Sequence, residues 1–185
     1  SLAYGVNKYL EDGNIAVFDL GGGTYDISIM EVDAANNFYE VKAANGDTEL
    51  GGEDFDERIV NHIVSEFKNK TGIDLLDPAK KDDANTLVAL QRVKKAAEDA
   101  KIKLSKREQV TINEPFLAPD ASGVPQNLEV EMTRAKLVDL VRDLIERTKE
   151  PMEKALKDAG LKKSDINQII MVGGMTYMPS GQETI

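Results

Sequence analysis

The sequence predicts an α/β fold, a mixed sheet flanked by helices and interrupted by an inserted subdomain of helices and a small sheet. Three observations carry that expectation. Residues 14–44 read as three consecutive strands, the apolar run at 168–172 resumes strand patterning after two helices, and Gly46, Gly51 and Gly52 break the pattern where a long helical region begins. The sheet subdomain is therefore assigned residues 1–50 and 133–185, and the inserted subdomain residues 51–132.

Taken in order, Asn14 to Leu20, Tyr25 to Val32 and Phe38 to Ala44 form an antiparallel meander, with Asn36-Asn37 turning between the last two strands. After the break at Gly46-Asp47 a helix places Phe55, Ile59, Ile63 and Phe67 on one face, with Val60 and Val64 widening it, and Gly72 ends it. His62 lies beside that stripe and is assigned no chemistry. Residues 77–83 are polar and turn-rich, and Leu87, Leu90, Val93, Ala97 and Ala100 then mark a narrow apolar face on a helix reaching about Leu104. Gln109 to Asn113 and Leu128 to Met132 alternate like strands, joined by a long connection at Pro119 to Pro125. Thr133 is placed to cap a helix bearing Leu137, Leu140, Val141, Leu144 and Ile145. Pro151, lacking an N–H, should break or restart it, and Gly160 ends the second helix. Ser164 or Asp165 begins a short turn before a buried-type strand, Gln168 to Val172, which runs into Gly173-Gly174.

The run Asp19-Leu20-Gly21-Gly22-Gly23-Thr24-Tyr25-Asp26 sits at the first hairpin and puts three glycines between two carboxylates. Three consecutive residues without Cβ let backbone N–H groups line a concave surface and donate to phosphate oxygens. Asp19 and Asp26 would repel a bare polyphosphate, so Mg²⁺ is implied together with a nucleotide. A flexible hairpin tip is the structural alternative.

The formal net charge of -10 opposes binding to a nucleic-acid backbone, and no apolar stretch approaches the ~20 residues that span a bilayer. Neither a nucleic acid nor a membrane is an expected partner. A nucleotide meets the same unfavourable global field, so its site must rest on local donors and bound metal. The N-terminus has no basic segment followed by an apolar one, and cysteine is absent, which fits a reducing compartment.

The hairpin, the block Gly51-Gly52-Glu53-Asp54-Phe55-Asp56, the helix from Glu98 to Ser105 and the block Val172-Gly173-Gly174-Met175-Thr176 occur in an order and spacing that resemble the Hsp70 chaperones. The resemblance runs from Leu2-Ala3-Tyr4-Gly5 to about Pro179 and is to the second lobe of the nucleotide-binding domain. The last block and the segment from Pro115 to Val130 look more like the DnaK-type branch, bacterial or mitochondrial, than the eukaryotic cytosolic one. The resemblance implies an actin-like, ribonuclease-H-like ATPase lobe, an ATP hydrolase in the intact parent, and a bacterial cytoplasmic or, alternatively, mitochondrial matrix location.

For the site, the resemblance implies that Gly21, Gly22, Gly23 and Thr24 contact the β- and γ-phosphates of ATP or ADP. It further implies that Asp19, the expected catalytic-site carboxylate, reaches Mg²⁺ through water, and that Thr24 and Asp26 lie near K⁺. Glu98, Lys101 and Ser105 match residues that hold the adenosine, although by spacing alone they are an exposed helical face with Glu98 and Lys101 paired. Gly52 is assigned near the nucleotide, whereas Glu53 and Asp54 equally suit a helix N-terminus through dipole complementarity. Gly173, Gly174 and Met175 border the sugar and adenine. Tyr177 stands where the family usually has an arginine that stacks on the base.

Expected partners are lobe I and the peptide-binding domain of the parent, neither of which has a counterpart in this chain, a GrpE-like nucleotide-exchange factor, a J-domain co-chaperone and unfolded polypeptide clients. Alone, the chain is expected to be inactive. An exchange-factor docking module without ATPase activity is the alternative, and another actin-like ATPase or sugar kinase a more distant one.

Overall fold

The computed structural model describes residues 12–36 and 38–173. Contacts divide the described residues into two compact units, one holding those up to Glu53 together with 143–173, the other Asp54–Arg142.

In the first unit, strands β1 (Gly13–Leu20), β2 (Tyr25–Asp33), β3 (Phe38–Asp47) and β6 (Gln168–Val172) form a sheet in the order β3-β2-β1-β6. The first three are antiparallel, and β6 runs parallel to β1, so the sheet is mixed. Alternation assigns each strand two faces. Ile15, Val17, Met30 and Val32 pack on one with Ile170 and Val172, while Ala16, Phe18, Ile27 and Ile29 border a small hollow with Met152 and Leu156. Burial on both faces explains why β1 reads as a continuous apolar run.

Two expectations for this sheet are corrected. The chain does not leave β3 at Gly46: the strand continues to Asp47, with Gly46 opposite Asp26 and Asp47 opposite Tyr25. A Cβ on Gly46 would stand 2.5 Å from the Tyr25 carbonyl oxygen, so this glycine permits close strand approach and is not a breaker. Strand β6 is not fully buried. It ends the sheet order, and Ile169 is 46% exposed.

The second unit contains most of α1 (Gly52–Thr71), then α2 (Ala84–Leu104), the hairpin of β4 (Gln109–Pro119) and β5 (Pro125–Thr133), and the first part of α3 (Arg134–Arg147). Phe55, Ile59, Ile63 and Phe67 are buried as a stripe with Val60 and Val64, and Gly72 ends the helix at φ +75°. Helix α2 is capped by Asp83, whose carboxylate accepts from the Thr86 amide and hydroxyl. Its buried stripe is Thr86, Ala89, Val93, Ala97, Ala100 and Leu104. The outward Leu87, 46% exposed, corrects the expected face, because small alanines and Thr86 take the inner positions.

The β4-β5 hairpin is longer than its alternating cores suggested. Both strands reach their prolines, and the connection shrinks to residues 120–124, closed by the Asp120 carboxylate accepting from the Ser122 and Val124 amides. An irregularity between Glu114 and Ala118 absorbs the break in alternation. Thr133 Oγ1 accepts from the Lys136 amide as the cap of α3. Helix α4 (Lys149–Asp158) then restarts with Pro151 in its first turn, where a missing N–H is tolerated, and Gly160 follows it at φ +69°.

Candidate functional site

The glycine hairpin is assembled from strands that leave its ends opposite each other. Asp19 and Asp26 are direct cross-strand partners, so their carboxylates share one face of the sheet, Asp19 half-buried and Asp26 exposed. The Gly21 amide donates to the Thr24 carbonyl at 2.9 Å and closes the turn, and the Thr24 hydroxyl donates to Asp26 Oδ2 at 3.3 Å.

The loop's carbonyls are held from the other side by α1. The Gly52 amide donates to the Gly21 carbonyl at 2.9 Å and the Glu53 amide to the Gly22 carbonyl at 2.8 Å. Helix N-terminal amides have no partner within their own helix, and here the glycine loop supplies two. These bonds require close backbone approach. A Cβ on Gly51 would fall 2.4 Å from both Gly22 O and Gly23 Cα. Gly173, at φ +93°, approaches the start of the same turn, and a Cβ there would fall 2.1 Å from the Leu20 carbonyl oxygen. Two separated glycine segments, Gly51-Gly52 and Gly173, therefore converge on Leu20 to Gly23 within the first unit.

Gly22 and Gly23 behave differently. A Cβ at either would meet nothing within 4 Å, and neither has the positive φ that demands glycine. Packing and backbone strain within the described residues give no reason for glycine there. Open space beside two consecutive peptide units is what a close-approaching ligand needs. The donor set also fits a hard cation: carboxylate oxygens from Asp19 and Asp26 and the Thr24 hydroxyl. Among the described residues no group of three or more His, Asp or Glu is placed for a metal ion, so these two carboxylates need phosphate or water oxygens to complete a shell.

Tyr25, directly after the hairpin, is 2% exposed and stacks on Phe18 with ring centroids 6.5 Å apart. Among the described residues its hydroxyl is buried without a hydrogen-bond partner, and burial pushes its pKa up.

Glu98, Lys101 and Ser105 fall in the second unit, on the last turns of α2. Ser105 is the C-cap, its amide and hydroxyl donating to the Lys101 carbonyl at 3.3 and 3.4 Å. Glu98 is exposed. The Lys101 ammonium donates to Asp56 Oδ2 of α1 at 2.7 Å. Sequence spacing pointed to Glu98 as its partner, and Asp56, 45 residues earlier, carried no local signal. The close approach to the turn is made by Gly51, next to the assigned Gly52, and a contact between two backbones leaves no side-chain signature in the sequence. Gly174, Met175 and Tyr177 lie outside the described residues.

A second constellation presents an aromatic ring. Phe116 sits at the β4 irregularity with φ +50° and is 71% exposed. Arg92 of α2 donates to the Pro115 and Phe116 carbonyls and to Glu114 Oε2, while the Phe116 amide donates to Asn127 Oδ1 at 2.7 Å.

A family model described as Hsp70 protein matches the chain over residues 1–185.

Proposed function

The chain belongs to the Hsp70 family, and from that premise we propose that it is lobe II of the ATPase domain of a DnaK-type chaperone. Members of the family bind ATP or ADP with Mg²⁺ and work with co-chaperones and client polypeptides. The observation that carries the proposal for this chain is the pair Gly22 and Gly23, glycines with open space in a turn that Gly51 and Gly173 approach closely.

In this reading the Gly22 and Gly23 amides donate to the β- and γ-phosphates, and the bonds from Gly52 and Glu53 hold the turn rigid while they do so. Mg²⁺, when bound, neutralises phosphate charge. Asp19 holds the ion through water, and Thr24 and Asp26 offer oxygen to K⁺. Glu98, Lys101 and Ser105 take the adenosine, and Gly173, Gly174, Met175 and Tyr177 border the sugar and base. Residues 51–132 act as the inserted subdomain and the remainder as the sheet subdomain. A bacterial cytoplasmic location is proposed, with the mitochondrial matrix as the alternative.

Phosphoryl transfer rests on positioning and electrostatics around the whole phosphate, and one hairpin with Asp19 supplies one side of that surround. The purified chain should therefore release phosphate from ATP near the uncatalysed rate, and adding lobe I in trans should raise it. Asp19→Asn should abolish the gain. Substantial hydrolysis by the chain alone, lost in Asp19→Asn, would show a complete enzyme.

The Phe116 constellation favours a second, compatible reading in which the inserted subdomain docks a GrpE-like exchange factor. The exposed Phe116 ring stands on a left-handed backbone whose carbonyl Arg92 holds, backbone strain of the kind that collects at binding sites. Titrating such a factor into Phe116→Ser tests it, and unchanged affinity would remove Phe116 from the surface.

A further inference from the structure

We propose that Asn45 is a site of spontaneous deamidation, at which the Gly46 amide nitrogen displaces ammonia from the side chain and leaves aspartate or isoaspartate in β3. The proposal stands apart from the nucleotide reading, since water is the only co-reactant it needs.

An asparagine side chain and the next backbone nitrogen can close a five-membered ring, and a side chain on that next residue obstructs the closure. Gly46 has none. Asn45-Gly46 is the one Asn-Gly pair in the sequence, and every other asparagine precedes a residue that carries a Cβ.

Strand structure protects such a pair when it holds the nitrogen away from the side chain. Here β3 ends the sheet order, and an antiparallel edge strand turns alternate amides away from its neighbour. The Gly46 amide donates to Asn45 Oδ1 at 3.1 Å. The carbon to be attacked, Cγ, is one bond from that oxygen, so the reacting atoms are already neighbours, as the ~3–3.5 Å approach of a reactive conformer requires. Asn45 is half-buried and Gly46 exposed, and both line a cleft with Asp47, Thr48, Glu150 and Lys154. That cleft admits the water that the second step consumes.

In the first step the Gly46 N–H proton passes to water or hydroxide, the nitrogen bonds to Cγ, and the Cγ–Nδ2 bond breaks as ammonia takes up a proton. A water molecule then adds to either carbonyl of the succinimide and opens the ring. Nothing is oxidised or reduced, and the net change is amide plus water to carboxylic acid plus ammonia. Opening at the main-chain carbonyl of residue 45 leaves Gly46 attached through Cγ, which lengthens the main chain by one methylene. Strand β3 has no room for it there. Gly46 lies opposite Asp26, and a single added Cβ would stand 2.5 Å from the Tyr25 carbonyl oxygen and 3.0 Å from Asp26 Oδ1. Isoaspartate therefore displaces the end of β3 from β2.

The test incubates the chain in mildly alkaline buffer at physiological temperature, folded and in urea, and follows Asn45 by peptide mass mapping. The folded chain should deamidate at Asn45 no more than about tenfold slower than the chain in urea, because the fold leaves the nitrogen in reach. Asn45→Gln, whose longer side chain would have to close a six-membered ring, should keep the mass of that peptide. The modified fraction, isolated by its added charge, should accept a methyl group from an isoaspartate-specific methyltransferase. It should also unfold at a lower temperature than Asn45→Asp, which carries the charge without the longer main chain. An intact Asn45 in the folded chain, whether or not it reacts in urea, overturns the proposal, as does an equal mass gain in the same peptide of Asn45→Gln. A modified fraction that accepts no methyl group, or that unfolds with Asn45→Asp, overturns the displacement of β3.

Discussion

Alanine at position 22 and alanine at position 51 should have opposite consequences, though both replace a glycine of the same constellation. The new methyl at Gly51 points into the backbone of Gly22 and Gly23, which cannot yield as a side chain tip would, so Gly51→Ala should destabilise by about 1–3 kcal/mol. At Gly22 the methyl meets nothing, and stability should stay within about 0.5 kcal/mol. Urea unfolding of the two variants separates a glycine that serves packing from one that serves a ligand. Tyr25→Phe extends the argument to the core under the turn. Its hydroxyl is buried without a partner among the described residues, so removing it should raise stability by about 1–3 kcal/mol while the ring keeps its stack on Phe18. A loss of stability there would mean that the hydroxyl is bonded.

At the scale of elements, α2 shows how far apolar patterning reaches. Leu87→Ala should change stability by less than about 0.5 kcal/mol because the side chain faces outward, whereas Leu104→Ala should cost about 2–5 kcal/mol from a fully buried position. Thermal melts of the two check the assignment. The helix itself was legible in the sequence, but its face was not, because Thr86 and Ala89 contribute little hydrophobicity to a periodicity that Leu87 dominates. The same limit explains β3, where Gly46 looks like a breaker until the approach of Tyr25 is known, and β4, where Pro115 hides a strand that resumes after Phe116. Helix ends were readable because Gly72, Gly160 and Thr133 act locally. For the site, Asp19 to Asp26 was legible as one contiguous motif. The latch from Gly52 and Glu53 and the Asp56–Lys101 pair were not, since each joins residues distant in sequence.

Across the whole molecule, the mild-acid response should trace to His62, the sole histidine. Burial, helped by the positive charge of Lys136 and opposed by Glu66, lowers its pKa from the ordinary 6.5. The folded state then favours the neutral ring, so the histidine's contribution is complete above pH 6.5 and is lost as pH falls through its lowered folded value. His62→Gln should flatten the stability profile in that window, read as unfolding midpoints across pH. The carboxylates of Asp74, Asp83 and Asp120 act at lower pH. Lys68 lowers the first, Thr86 the second and the Val124 amide the third, so their contribution persists above the ordinary 3.8 and disappears on further acidification.

The central claim is that the open space beside Gly22 and Gly23 receives nucleotide phosphate. Titrating ADP-Mg²⁺ into the chain and into Gly22→Val tests it most directly. The account predicts binding by the unsubstituted chain and at least about tenfold weaker binding by Gly22→Val, equivalent to about 1.4 kcal/mol, at an unchanged unfolding midpoint. Equal ADP affinity in a folded Gly22→Val would contradict it.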